Sequence, residues 1–260
     1  MDPIVFGLIV VLAMNLFIFP FAYRLQTDKL TDITYSLSFA TIAVYGFVAA
    51  LGTTSVAKMI LASLIIIWAL RLGTFLLNRV TKMGKDDRFD KIRTNPIRFL
   101  RFFLIQATAA WIISLPFLYK LLDQPGEPSG FADISILEWA GYAIAIIGLI
   151  IETIADNQKM AFKDQKGNAQ KLYREGLFKT VRYPNYTGEV LFWIGIFMAC
   201  LPVISGLRWL TISSPLIIIA LLVFLTGIPP IERSRKKKFG DNPEYKEYVN
   251  NTSMLIPGIY

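Results

Sequence analysis

The sequence predicts an all-α integral membrane protein, a bundle of seven transmembrane helices with its N-terminus outside and its C-terminus in the cytoplasm. Three observations predict it. Of 260 residues, 54% are hydrophobic and only 18% are charged, a more apolar balance than a soluble domain of this length carries. Several apolar runs reach the roughly 20 residues needed to cross a hydrocarbon core about 30 Å thick. The basic residues fall between those runs, and they do so on alternate sides, as the positive-inside rule requires.

The spans lie at about 4–23, 34–51, 56–77, 98–119, 136–155, 187–204 and 209–229. The first has no basic leader and no small-residue cleavage site, and its apolar stretch is too long for a signal peptide, so it reads as a membrane helix. With the N-terminus outside, the loops at 24–33, 78–97 and 156–186 and the segment from 231 onward are cytoplasmic. The other three loops then hold only Lys58, Lys120 and Arg208. The stretch 120–135, rich in Pro and Gly, is a plain connector. The whole chain, 1–260, reads as one membrane domain whose functional surface faces the cytoplasm, mainly through 70–93 and 150–260. The net charge of +8 belongs to topology rather than to nucleic-acid binding. There is no histidine, and the one cysteine, Cys200, lies inside an apolar run. That removes the commonest general base and a His- or Cys-ligated metal centre.

Four clusters of polar residues stand at the ends of these spans. In span three, Trp68, Arg71, Phe75, Asn78 and Lys82 share a helical face. Arg71 lies almost two turns inside the cytoplasmic end, where it either snorkels to the headgroups or faces a cavity and meets a phosphate or carbonyl. Asn78 and Arg79 open a polar loop that continues through Lys85, Asp86, Asp87 and Arg88. At the end of span five, Glu152 and Asp156 are four apart, and Lys159 and Lys163 extend their face. These either pair at the interface or hold a ribose and a phosphate. The stretch 173–189, YREGLFKTVRYPNYTGE, sets Arg174, Lys179 and Arg182 beside a Pro-Asn-Tyr turn. Asn185 and Tyr186 then stand at a helix head, where free N–H groups favour an anion, and Glu189 follows at membrane depth. Finally, Gly227 and Pro229–Pro230 break span seven before Glu232 and Arg233. The basic run 235–238 reads as an anionic-lipid contact, and Tyr245 and Tyr248 lie on an amphipathic segment able to fold back over the site.

These pieces, LRLGTFLLNR…GKDDRFDKIR at 70–93, the Asp156 region, GLFKTVRYPNYTGE at 176–189, GIPPIERS at 227–234 and EYKEYVNNTSMLIP at 244–257, resemble the steroid 5α-reductase superfamily. The match is to its bacterial branch, the DUF1295 type, distantly related to isoprenylcysteine methyltransferase-like membrane enzymes. The resemblance implies a seven-helix bundle that holds NADPH from the cytoplasmic side and passes hydride to an enone double bond in a lipid entering from the bilayer. It places Asp156, Lys163, Asn185, Glu189 and the Glu232–Arg233 pair where the family contacts its cofactor, and matches Asn78 and Arg79 to its polar residues after span three. Trp68 stands near the position of a substrate-carbonyl tyrosine, and Asp32 is the nearest acid to the family's first-loop glutamate. The wider superfamily often carries Arg-His-Pro-Asn-Tyr where this chain has Arg182-Tyr183-Pro184-Asn185-Tyr186. The same turn occurs in membrane methyltransferases that use S-adenosylmethionine.

The expected activity is therefore NADPH-dependent reduction of a carbon–carbon double bond in a lipid-soluble substrate, in a bacterial inner membrane. Trp68 and Arg71 are the catalytic candidates, with Arg71 polarising the carbonyl, and Lys163, Arg174 and Arg182 are candidates for the phosphates. The alternatives are an S-adenosylmethionine-dependent methyltransferase and a lipid-binding homologue without chemistry.

Overall fold

The structure, a computed structural model, describes residues 1–27, 29–83, 90–123, 130–168 and 171–259. Lys85, Asp86, Asp87 and Arg88, and the middle of the 120–135 connector, lie outside the described residues. The helices are α1 (Pro3–Arg24), α2 (Lys29–Ala49), α3 (Val56–Met83), the single turn α4 (Asp90–Arg93), α5 (Pro96–Leu122), α6 (Ile136–Asp164), α7 (Pro184–Cys200), α8 (Ser213–Ala220), α9 (Ile228–Phe239) and α10 (Pro243–Asn251). Among the described residues seven helical runs are long and apolar enough to cross a membrane, and these make the chain a multi-pass integral membrane protein. They match the predicted spans one for one. The helices overrun the apolar windows: α6 continues to Asp164, and the seventh run spans Gly206–Phe239.

That seventh run is not one regular helix. A 3₁₀ segment, Gly206–Ile212, leads into α8, and a π segment, Leu221–Leu225, separates α8 from Gly227. The amides of Thr226 and Gly227 both donate to the Leu221 carbonyl, at 2.8 and 3.1 Å. Gly227 is needed there, because an added Cβ would stand 2.4 Å from the Leu222 carbonyl oxygen. Pro229 and Pro230 then occupy the first turn of α9, where no amide proton is required.

The chain divides into two compact units, Met1–Tyr142 with Ile196–Ser214, and Ala143–Gly195 with Pro215–Tyr260. In the first, α2 packs on α1, α3 and α5, and α1 packs on α5. Phe19 meets the edges of Phe99 and Phe103 at 6.1 and 5.8 Å between ring centroids, beside the buried Ala22. Several polar groups inside this bundle find partners on neighbouring helices, although Asn15 Oδ1 has none among the described residues. Asn15 donates to Ser38 Oγ at 3.1 Å, Trp111 to the Ile4 carbonyl at 3.0 Å and Tyr142 to the Ala57 carbonyl at 2.9 Å.

One end of this unit gathers the three cations that the sequence places outside. Lys120 is buried and bonds Glu138, whose second carboxylate oxygen accepts from the amide and hydroxyl of Ser135 at 3.0 and 2.7 Å. A buried pair holds only when its remaining lone pairs are satisfied in this way. Lys58 donates to the Asp123 carbonyl, and Arg208 pairs with the Asp123 carboxylate at 3.5 Å.

In the second unit α6 and α7 touch backbone to backbone. A Cβ at Gly188 would lie 2.5 Å from the Glu152 amide nitrogen, and one at Gly148 would lie 2.5 Å from the Gly188 carbonyl oxygen. Two glycines therefore let the helices cross at a distance that no side chain would permit. The crossing sets the Glu152 backbone against that of Gly188, the neighbour of Glu189.

Candidate functional site

The second unit assembles a polar site from four segments distant in sequence: the end of α6, the 173–187 turn, α9 and the segment from α10 onward. The turn begins at Gly176, whose φ of +58° is left-handed. Glycine is doubly required, since a Cβ would also strike Gln158 Oε1 at 2.4 Å. That same oxygen accepts from the Leu177 amide at 3.1 Å and pins the turn to α6. Pro184 then starts α7, holding Tyr183 extended in front of it.

The segment after α10 runs back along this turn. Val181 and Ser253 form a parallel bridge. The Arg182 amide donates to the Ser253 carbonyl at 2.8 Å, the Tyr183 amide to Met254 at 3.2 Å, and the Thr187 hydroxyl to Leu255 at 2.8 Å. Residues 243–255 are thus a strap across the head of α7. Its helix is fixed by Tyr248, which donates to the Phe178 carbonyl at 2.8 Å, and by an ion pair of Glu244 with Arg174.

Glu232 is the hub. One carboxylate oxygen accepts from Tyr183 at 2.6 Å and from Arg182 at 3.0 Å, and the other from Tyr245 at 3.2 Å. One acid on α9 therefore ties together the turn and the strap. Tyr183 stacks on Tyr186 with centroids 5.7 Å apart and planes within 8°, and the Arg235 guanidinium lies 4.9 Å above the Tyr183 ring. Burial, followed by the hydrogen bond and charge of Glu232, drives the Tyr183 phenol well above the usual range, although Arg235 and Arg182 act the other way. Burial likewise raises Tyr245, with Glu232 adding to it, and pushes Tyr248 up to about 12. These phenols remain donors at neutral pH.

Beside the hub is a cavity of about 170 Å³. Lys159 and Lys163 of α6, Lys171, and Arg235 and Lys238 of α9 line it, together with the rings of Tyr173, Phe178 and Phe239. None of its described lining residues is acidic. Lys163 lies within coulombic reach of Lys238 and Arg235, and its ammonium also bonds the Lys171 carbonyl. Two buried guanidinium nitrogens near this hub, Arg182 Nε and Arg235 Nη1, have no hydrogen-bond partner among the described residues. Like charges gathered around a hollow, with donors left over, suit an anion.

Of the residues singled out in the sequence, the second unit holds Asp156, Lys163, Arg174, Arg182, Asn185, Tyr186, Glu189, Glu232 and Arg233. Asp156 and Glu189 are buried, at 3% and 9% exposure, and Glu152 is buried beside the glycine crossing. Asn185 and Tyr186 are half-buried in the first turn of α7. Arg182 and Glu232 meet directly. Arg174 is engaged with the strap rather than standing among the cavity-lining residues, and Arg233 is exposed. The first unit holds the others. Trp68 is wholly buried, edge-on to Phe39 at 5.2 Å, and the Arg71 guanidinium lies 5.4 Å from the Phe75 ring centroid. Asn78 is exposed, and Arg79 pairs with Asp32 at 3.2 Å.

Sequence reasoning passed over Lys171, Arg235 and Lys238 as cavity residues, and Tyr183 and Tyr245 as ligands of Glu232. A signal for the cations was available: Arg235 and Lys238 are three apart, one helical turn, and so share a face with Glu232. The run 235–238 is divided: the half-buried Arg235 and the exposed Lys238 line the cavity, and the exposed Lys236 and Lys237 do not.

No solved structure matches the chain. It is 38% identical over 56 residues to a steroid 5-alpha-reductase, DET2, of Gossypium hirsutum, a segment covering 22% of each chain. It is 34% identical over 67 residues to a probable O-methyltransferase, ustE, of Ustilaginoidea virens, covering 26% of this chain and 24% of that one. The matched segments thus span less than a quarter of either curated relative. The match that covers most of the chain, residues 18–252, is to a whole family, and by it this protein belongs to DUF1295, described as a protein of unknown function.

Proposed function

We propose that this protein is a membrane oxidoreductase that uses NADPH to reduce a carbon–carbon double bond, conjugated to a carbonyl, in a lipid-soluble substrate of the bacterial inner membrane. The observation that carries the reading is the cavity lined by Lys159, Lys163, Lys171, Arg235 and Lys238. A cofactor bearing phosphates offsets that charge, whereas S-adenosylmethionine carries none. Arg235, a lining residue with one guanidinium nitrogen unpartnered among the described residues, supports the same fit. So does the likeness to a steroid 5-alpha-reductase over part of the chain. At about 170 Å³ the cavity is smaller than the ~300–1,000 Å³ of pockets that hold whole ligands, so it takes one charged end of the cofactor.

When bound, NADPH supplies the hydride. The residues of this chain bind, orient and exclude water. The cavity cations hold phosphate. Asn185 at the open first turn of α7, with Asp156 and Glu189, holds the uncharged part by hydrogen bonds. Tyr183 is held protonated and bound to Glu232, so it does not act as a base.

The test is ligand binding by the protein purified in detergent. NADPH at about 100 times its dissociation constant adds about 2.7 kcal/mol to stability and raises the melting temperature. Loss of a hydrogen bond to a buried charged group costs about 1.5–3 kcal/mol, so Glu189→Gln and Asn185→Ala each weaken NADPH binding by about tenfold or more. Stabilisation by S-adenosylmethionine and not by NADPH would replace this reading with a methyltransferase.

A further inference from the structure

We propose that Arg235 is the anchor for a phosphate group of the ligand, and that Tyr183 is the fixed platform that aims it. The proposal rests on reading the cavity as a phosphate site, and it concerns a residue that no motif comparison selects. Four observations carry it. Arg235 lines the cavity. Its Nη1 is buried without an acceptor among the described residues, an arrangement that costs free energy until an acceptor arrives. Its guanidinium carbon stands 4.9 Å from the Tyr183 ring centroid, within the range of a cation–π contact. Tyr183 itself is immobilised at three points: its hydroxyl on Glu232, its amide on Met254 and its ring on Tyr186.

Together these hold a planar fork of donors at the wall of a hollow. Water in the hollow would not offset the charge of Arg235, Lys163 and Lys238 together. A phosphate does, and a guanidinium is the side chain whose geometry matches phosphate oxygens in pairs. Tyrosine at position 183 also has a physical consequence here. A neutral phenol ring attracts the guanidinium, whereas an imidazole that took a proton would repel it.

The experiment compares binding of NADPH, inorganic pyrophosphate and a short-chain phosphatidate to the full-length protein in detergent. Variants are Arg235→Met, Arg235→Lys, Tyr183→Phe and Tyr183→Leu. Arg235→Met is expected to weaken both NADPH and pyrophosphate by about tenfold or more, as loss of a charge-assisted bidentate contact should. Arg235→Lys, which keeps the charge and preserves folding, falls between. Tyr183→Phe keeps the ring and stays within about threefold, while Tyr183→Leu falls with Arg235→Met. Pyrophosphate or phosphatidate binding that depends on Arg235, with NADPH ignored, would keep the anchor and remove the reductase reading, the phosphatidate arm identifying a lipid headgroup as the ligand. NADPH binding indifferent to Arg235→Met and Arg235→Lys would overturn the anchor and leave the reductase. A wild-type protein that binds none of the three would overturn it as well.

Discussion

Glu232 shows how much one half-buried carboxylate can organise. Three donors from two segments, the turn and the strap, converge on it, and two of them are phenols that burial keeps protonated. Tyr248, donating to the Phe178 carbonyl, gives the most direct test of this. Its folded value of about 12 lies above the ordinary value of 10.0. The folded state therefore holds the proton more tightly. The stabilisation is fully present below pH 10 and is lost as pH rises through about 12. Tyr248→Phe is expected to lose about 1 kcal/mol at neutral pH and to unfold less steeply across that alkaline window. The check is thermal melting at a series of pH values, and an identical pH profile in the variant would contradict the account. At this scale the sequence was partly legible. The depth of Glu189 and the Pro-Asn-Tyr turn marked the region, because charge and proline at a membrane edge are conspicuous. The pairing of Glu232 with Tyr183 was not, because 49 residues separate them and nothing in the spacing joins them.

At the scale of elements, the close crossing of α6 and α7 positions the buried acids. Gly188→Val would place a branched side chain where 2.5 Å now separates the Cβ position from the Glu152 amide. Overpacking of this kind costs about 1–3 kcal/mol, and the helices must part to relieve it. NADPH affinity is expected to fall in this variant even where the protein remains folded, as judged by its far-ultraviolet circular dichroism; unaltered affinity in a folded Gly188→Val would separate the crossing from the site. The seven spans were legible because hydropathy is a collective signal that survives errors in individual residues. Helix ends were less so. After Ala155, the residues Asp156-Asn157-Gln158-Lys159 end the apolar run but do not end the helix, and α6 continues to Asp164. Hydropathy marks where lipid stops, whereas only a capping signal marks where a helix stops. The strap was foreseen as an amphipathic segment able to fold back over the site, but the register of its docking was not, because Arg182, Tyr183 and Thr187 meet it through carbonyls that any residue would offer.

For the whole molecule, the distribution of charge determines which way the chain faces. Lys58, Lys120 and Arg208, the cations assigned to the outer loops, are each tied to an acid or carbonyl within the first unit, so none works against the orientation. The charge distribution predicts an N-terminus outside, so a cysteine introduced at Ser205 is expected to react with a membrane-impermeant reagent in intact cells, and one at Lys166 only after permeabilisation. Both positions are exposed, and the native Cys200 is wholly buried, so the background is low. The reverse labelling pattern would invert the topology and put the cavity on the other side. The strap adds a temporal consequence. Residues 243–255 leave the ribosome after these seven spans, so the seven helices can enter the bilayer while the head of α7 still lacks its partner. Insertion and completion of the site are separate events. Damage confined to the strap would yield protein that is correctly threaded through the membrane, abundant, and empty.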